Sequence, residues 1–267
     1  MNTPAMKRRS RKSALADDPV MAALVKAAGR YTLKSQQSRA PFEVLARAIA
    51  HQQLNGAVAQ RILQRLCALF PGCDFPAPEA LRATAPEQLR AVGFSFSKIR
   101  ALHDLADKSA AGIVPATEVL HALEDEAIVE RLCAVRGIGR WTVEMLLMFQ
   151  LGRPDVFPVD DFGVRNGFRL AYGLRHLPKP RALREFAERW RPHRSAAAWY
   201  LWRAVDLHKA GKLPPPLRPA PRIAQQKPLV SAFKATRPAK RAKPAKPASR
   251  ISAAGRARRG ASAATHK

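Results

Sequence analysis

The chain has 267 residues, 47% of them hydrophobic and 7% aromatic, with 47 Lys and Arg against 20 Asp and Glu, a formal net charge of +27. That length buries a core without disulfide staples, and no run of about 18 apolar residues is present to span a membrane. So large a basic excess points to a polyanion as partner.

The charge is unevenly placed. Residues 1–16 hold five basic side chains and no acid, and residues 211–267 hold 7 Lys, 8 Arg and no acid, so these segments carry +5 and +15 and leave +7 on residues 17–210. The expected organisation is a disordered basic extension over 1–16, a folded domain over 17–210 and a disordered Lys/Arg/Pro/Ala-rich tail over 211–267. The tail holds 9 of the 22 prolines and too little apolar surface to offset its ordering entropy. Its expected role is salt-dependent attraction to nucleic acid, the plain alternative being solubility. Lys7, Arg8, Arg9, Arg11 and Lys12 are followed by no apolar h-region, so a secretory signal is not expected. Cys67, Cys73 and Cys133 are odd in number and scattered, which suits reduced, buried thiols.

Within the domain, apolar residues recur at helical spacing. Phe42, Leu45, Ala46 and Ile49 predict one buried face, Ile62, Leu63, Leu66 and Leu69 a second, and Ile99, Leu102 and Leu105 a third. A fourth is expected from Trp199, Leu201, Trp202 and Val205. Breakers fall between them at Pro71-Gly72, Pro76-Ala77-Pro78, Gly93, Gly112 with Pro115, and Gly137 to Gly139. Period-two alternation is scarce, so the fold class is all-α, with about eight to ten helices.

The most informative stretch is Leu132-Cys133-Ala134-Val135-Arg136-Gly137-Ile138-Gly139-Arg140-Trp141-Thr142. A helix ends near Val135, a Gly-x-Gly turn follows, and a second helix starts at once. Such a turn presents backbone N–H groups at a helix N-terminus, a geometry that suits phosphate. Alone it is weak evidence, because many helix hairpins need glycine only for sterics. Ile138, between the glycines, is placed to plug the hairpin into the core. Downstream, Leu151 to Arg165 forms a Gly/Pro-rich loop ending in Asp160-Asp161, with a helix starting at about Asp161. Taken alone, an aspartate there is most simply a helix cap.

Hairpin, Gly/Pro-rich loop and aspartate in that order resemble the signature of the helix-hairpin-helix (HhH-GPD) DNA glycosylases. Ile49-Ala50-His51-Gln52-Gln53, Leu89-Arg90-Ala91-Val92-Gly93-Phe94-Ser95, and Trp190 to Ser195 followed by Trp199 to Arg203 extend the resemblance over about residues 18–205. It is closest to the 3-methyladenine glycosylases of the alkylation-repair branch, in the form without an N-terminal β-domain. The resemblance implies two helical subdomains with a DNA-binding cleft between them. It implies Asp161 as the catalytic residue, with Asp160 second to it, and a base pocket of Trp141, Trp202, Phe94 and Met145, with Phe96 also shaping it. Gln53 would wedge into the gap left by the extruded base, the alternative being a plain exposed glutamine. Gly137, Ile138, Gly139, Arg140 and Thr142 would bind the DNA backbone, and the carbonyls of Cys133, Val135 and Ile138 would accept a monovalent cation.

Relatives that also cut the backbone carry a lysine where this chain has Trp141, so a Schiff base is not expected and the reaction ends at an abasic site. No cysteine follows Cys133, so the iron–sulfur cluster of some relatives is not expected, and neither is any other cofactor. The expected activity is hydrolytic excision of 3-methyladenine, and of 7-methylguanine, from duplex DNA by a monomer. The location would be a bacterial cytoplasm near the nucleoid, or a nucleus in a eukaryote. The alternatives are a non-catalytic hairpin protein that only binds DNA, and a glycosylase for oxidised or mismatched bases.

Overall fold

Proline and capping side chains set where most of the helices begin. The computed structural model describes residues 15–36, 38–216 and 223. Twelve α-helices lie among them: α1 Pro19–Ala28, α2 Pro41–His51, α3 Gly56–Ala68, α4 Pro78–Ala83, α5 Pro86–Val92, α6 Phe96–Ala110, α7 Thr117–His121, α8 Asp125–Cys133, α9 Arg140–Met145, α10 Phe162–Ala171, α11 Pro180–Ala187 and α12 Arg194–Lys209. Proline opens α1, α2, α4, α5 and α11, where its missing N–H costs no hydrogen bond and its fixed φ suits the first turn. The count exceeds the expected eight to ten because α4, α5 and α7 run only five to seven residues, too short for a periodic apolar pattern. No strand occurs among the described residues, and none of their helices is long and apolar enough to cross a membrane.

α6 packs against α2 and α4, and α2 against α3; at the other end of the chain α12 packs against α10 and α1. One continuous apolar core joins the two groups. The predicted faces of α2 and α6 are buried, with Phe42, Leu45, Ala46 and Ile49 on one and Ile99, Leu102 and Leu105 on the other. Leu69 is a correction: it follows the last residue of α3 and is 40% exposed. α12 is buried almost all round from Ser195 to Leu201, because α1 and α10 flank it. Ala204, not Val205, completes its inner face.

Packing also reaches slightly beyond residues 17–210. Leu15 is buried and Leu213 lies against the core. Residues 1–14, 217–222 and 224–267 of the two basic extensions lie outside the described residues, and with them all of the separate unit at 229–267. The three cysteines are free, but none is fully buried: Cys67 and Cys133 are half-buried and Cys73 is exposed.

A buried aspartate ties α1 to the rest. Asp18 caps α1 by accepting from the N–H groups of Val20 and Met21 (3.1 and 3.3 Å), and its Oδ2 accepts from the Tyr172 hydroxyl (2.6 Å) and from Trp190 Nε1 (3.3 Å). Burial, then the Asp18 charge, push the Tyr172 phenol well above its usual range. Asp18→Ala would strand a hydroxyl and an indole N–H inside the protein, an expected loss of about 3 kcal/mol read from the denaturant midpoint.

Candidate active site

The hairpin is held from below. Ile138 is 4% exposed and its N–H donates to the Val135 carbonyl (3.0 Å). Gly137 takes φ +78°, and a Cβ there would sit 3.5 Å from that of Ala101 on α6. The N–H of Arg136 donates to Asp104 Oδ2 on the same helix (2.6 Å). Gly139 is the N-cap of α9, so the first N–H groups of α9 have no partner within the helix.

α9 has two working faces. Residues four apart lie together, so Trp141 and Met145 share one side and Arg140 and Glu144 another. Trp141, Thr142 and Met145 line a cleft of about 710 Å³, closed on the far side by α2 residues including Arg47 and His51, with Gln52 and Gln53 just beyond them. α9 then continues through a π turn, Leu146–Gln150, with the Leu151 N–H bonded to the Leu146 carbonyl (3.0 Å). The wider turn presents Phe149 to the same cleft and stacks it on Trp202 of α12, ring centroids 5.7 Å apart.

Asp161 is joined to the cleft through Trp141. It does cap α10: Oδ1 accepts from the Val164 N–H (2.7 Å). The same Oδ1 accepts from Trp202 Nε1 (2.9 Å), and Oδ2 accepts from Trp141 Nε1 (2.8 Å). Capping and a site role are therefore compatible in one side chain. Three donors fix the carboxylate's orientation: two fill Oδ1 and one engages Oδ2, which keeps one lone pair to accept from a further donor. Asp160 is exposed and bonded to neither indole. Gly163 is needed for this approach, because a Cβ there would lie 2.8 Å from Trp202 Cδ1 and 3.0 Å from Asp161 Oδ1.

Several predicted residues therefore take other places. Phe94 is 1% exposed and belongs to the core, because the turn after α5 folds it inward; it cannot touch a base in the cleft. Phe96 is 62% exposed, beneath the Arg90 guanidinium and away from the cleft. Trp141 lines the cleft and holds the carboxylate by its N–H, whereas Trp202 is not among the residues lining the cleft: it stacks on Phe149 and donates to Asp161. Arg140 is engaged with Glu126 (Nη1 to Oε2 3.2 Å) and is 4.0 Å from Glu144, on the side away from the cleft. Gln53 lines the cleft with φ +57°, the only non-glycine positive φ among the described residues. Sequence reasoning missed Phe149, Gly163 and Gln52. The run Leu146 to Phe149 reads only as buried helix, and a π turn leaves no periodic signal.

Glu144 is nine-tenths buried, and that burial, with the Asp160 charge adding and Arg140 opposing, raises its carboxyl from 4.5 to about 7. The folded state then binds the proton more tightly than the unfolded chain, so this group's contribution to stability declines as pH rises from about 4.5 to 7. Glu144→Gln should gain about 2 kcal/mol over the parent at pH 8 and nothing at pH 4.5, measured by unfolding at both pH values. Equal effects at both would contradict the assignment.

Comparison with known proteins completes the picture. Residues 46–192 match the family model described as HhH-GPD superfamily base excision DNA repair protein. The chain belongs to this superfamily. It is 41% identical over 197 residues to DNA-3-methyladenine glycosylase 1 of Schizosaccharomyces pombe, covering 73% of this chain and 85% of that one. Among solved structures, it is similar to the S. pombe 3-methyladenine DNA glycosylase in complex with abasic DNA (TM-score 0.64, 39% identity, 72% of this chain and 95% of that one). A DNA-3-methyladenine glycosidase from Bacillus halodurans superposes with TM-score 0.68 at 29% identity, covering 77% of this chain and 94% of the other. The all-helical arrangement described above is the HhH-GPD glycosylase fold.

Proposed function

We propose that this HhH-GPD protein is a monofunctional DNA glycosylase that extrudes alkylated purines, 3-methyladenine and 7-methylguanine, from duplex DNA and hydrolyses the N-glycosidic bond. The observation that carries the reading is Asp161, oriented by two indole N–H groups and a backbone N–H beside an aromatic-lined cleft and a glycine hairpin.

Methylation at a purine ring nitrogen makes the base cationic, so it leaves with the bonding electrons and needs little protonation. The carboxylate of Asp161 stabilises the oxocarbenium-like sugar and orients the water that adds at the anomeric carbon, whose proton it accepts. The product is a free base and an abasic site. The rings of Trp141 and Phe149 offer electron-rich faces to the cationic base, with Trp202 stacked behind Phe149. The hairpin N–H groups and Thr142 contact phosphate, and Gln53 occupies the space the base vacates. Trp141 has no amine, so no imine with the sugar forms there. Every one of these groups comes from one chain, and the protein acts as a monomer on double-stranded DNA.

The test is incubation with methylated duplex DNA. Release of methylated purine together with abasic sites is the expected result. Salt-dependent binding with no abasic sites, even at high protein concentration, would instead support a non-catalytic hairpin protein.

A further inference from the structure

The turn that carries Gln53 is unusually anchored. Only Gln52, Gln53, Leu54 and Asn55 separate α2 from α3, and Gln53 is held in the left-handed region, where a side chain is strained. Three hydrogen bonds brace the turn from different directions. Lys98 Nζ of α6 donates to the Ala50 carbonyl (2.7 Å), the Leu54 N–H donates to the His51 carbonyl (3.2 Å), and Gln52 Nε2 donates to the Gly137 carbonyl (2.8 Å). The last spans 85 residues of sequence and ends on the hairpin's first glycine.

We infer that Gln52 is a positioning residue that couples the Gln53 wedge to the phosphate-binding hairpin through its amide bond to Gly137. This rests on the roles given to Gln53 and the hairpin under the proposed function. A wedge pressed into a base stack is pushed back by it, so its turn must be braced against something that also holds the DNA. The hairpin is such a brace, being itself tied to α6 by the Arg136 N–H bond to Asp104. With the Gln52 bond in place, the wedge and the phosphate clamp keep one separation. Without it, the hairpin still binds DNA while Gln53 yields.

Gln52→Met keeps side-chain length and removes the donor without adding charge; Gln52→Glu is the second variant. Each is assayed in single-turnover release of 7-methylguanine from two duplexes, one with cytosine opposite the lesion and one with an abasic site opposite, where extrusion is easier. The expected result is release about tenfold slower from the paired duplex, the worth of about one hydrogen bond, and less than about twofold slower from the other, with the melting temperature lowered by no more than about 5 °C, so that the protein stays folded at the assay temperature. Gln53→Ala is run in parallel and should show the same selective loss, with the Gln52→Met/Gln53→Ala double variant no slower than Gln53→Ala. Equal slowing of both duplexes, or wild-type rates for both Gln52 variants beside an impaired Gln53→Ala, would overturn the coupling and leave the wedge reading intact. A wild-type rate for Gln53→Ala would overturn the wedge reading and the coupling with it.

Discussion

Asp161→Asn is expected to slow base release by about 10² to 10⁴, the range typical for removing one group that stabilises charge or transfers a proton in a transition state. Asparagine is the informative replacement. It is as good an N-cap as aspartate, so the bond from Val164 N–H and the start of α10 survive, and stability should change by less than about 1 kcal/mol. What disappears is the negative charge facing the sugar, together with the acceptor for the exposed Trp141 Nε1–H, since the amide nitrogen that replaces Oδ2 can only donate. Alanine would also take the acceptor from Trp202 Nε1 and the cap from Val164 N–H, mixing folding with chemistry. Affinity for abasic duplex DNA should be retained, because the hairpin is untouched. Asp160→Asn is the control, expected near the parent rate because Asp160 is bonded to neither indole. An Asp161→Asn protein working at full rate would remove the catalytic assignment.

The second large effect is on the scaffold that places this carboxylate. α10, which starts just after Asp161, crosses α12, which carries Trp202, with their backbones in contact at Gly167. A Cβ there would lie 1.9 Å from the Leu201 carbonyl oxygen and 2.6 Å from its carbon. Backbone cannot swing aside as a side chain can, so Gly167→Ala must part the two helices. The expected cost is about 3 kcal/mol or more, which for a domain of this size lowers the melting temperature by about 6 to 12 °C. Base release should fall as well, even well below the melting temperature, because separating α10 from α12 lengthens the Trp202–Asp161 bond. Gly56→Ala is the contrast. Nothing lies within 4 Å of a Cβ at the start of α3, so stability should hold or rise slightly. If Gly167→Ala melted like the parent, the close crossing would be wrong.

The buried faces of α2 and α6 were legible because a helix that turns one stripe to the core must repeat its apolar residues every three to four positions. Short helices escaped that test. The hairpin was legible for another reason: two glycines flanking one apolar residue between helical runs leave few other conformations. Asp161 was legible as a cap by chemistry and as a catalyst only through the order of motifs around it. Phe94 shows where such reasoning ends. An aromatic residue in a turn between α5 and α6 has no periodic partner, and whether it faces cleft or core depends on packing set by residues distant in sequence.

The amino-acid sequence by itself determined the helical class and the glycine turn, because both follow from local spacing and backbone freedom, while Asp161 was singled out only by the resemblance of the motif order to the glycosylases. Tertiary structure alone decided which groups meet. Trp141 and Trp202 reach Asp161 across 20 and 41 residues, Phe149 stacks on Trp202 through a π turn, and Gln52 reaches Gly137 across 85. Those contacts depend on how helices cross, and crossings are fixed by complementary surfaces, such as the bare backbone at Gly167, that no local pattern records.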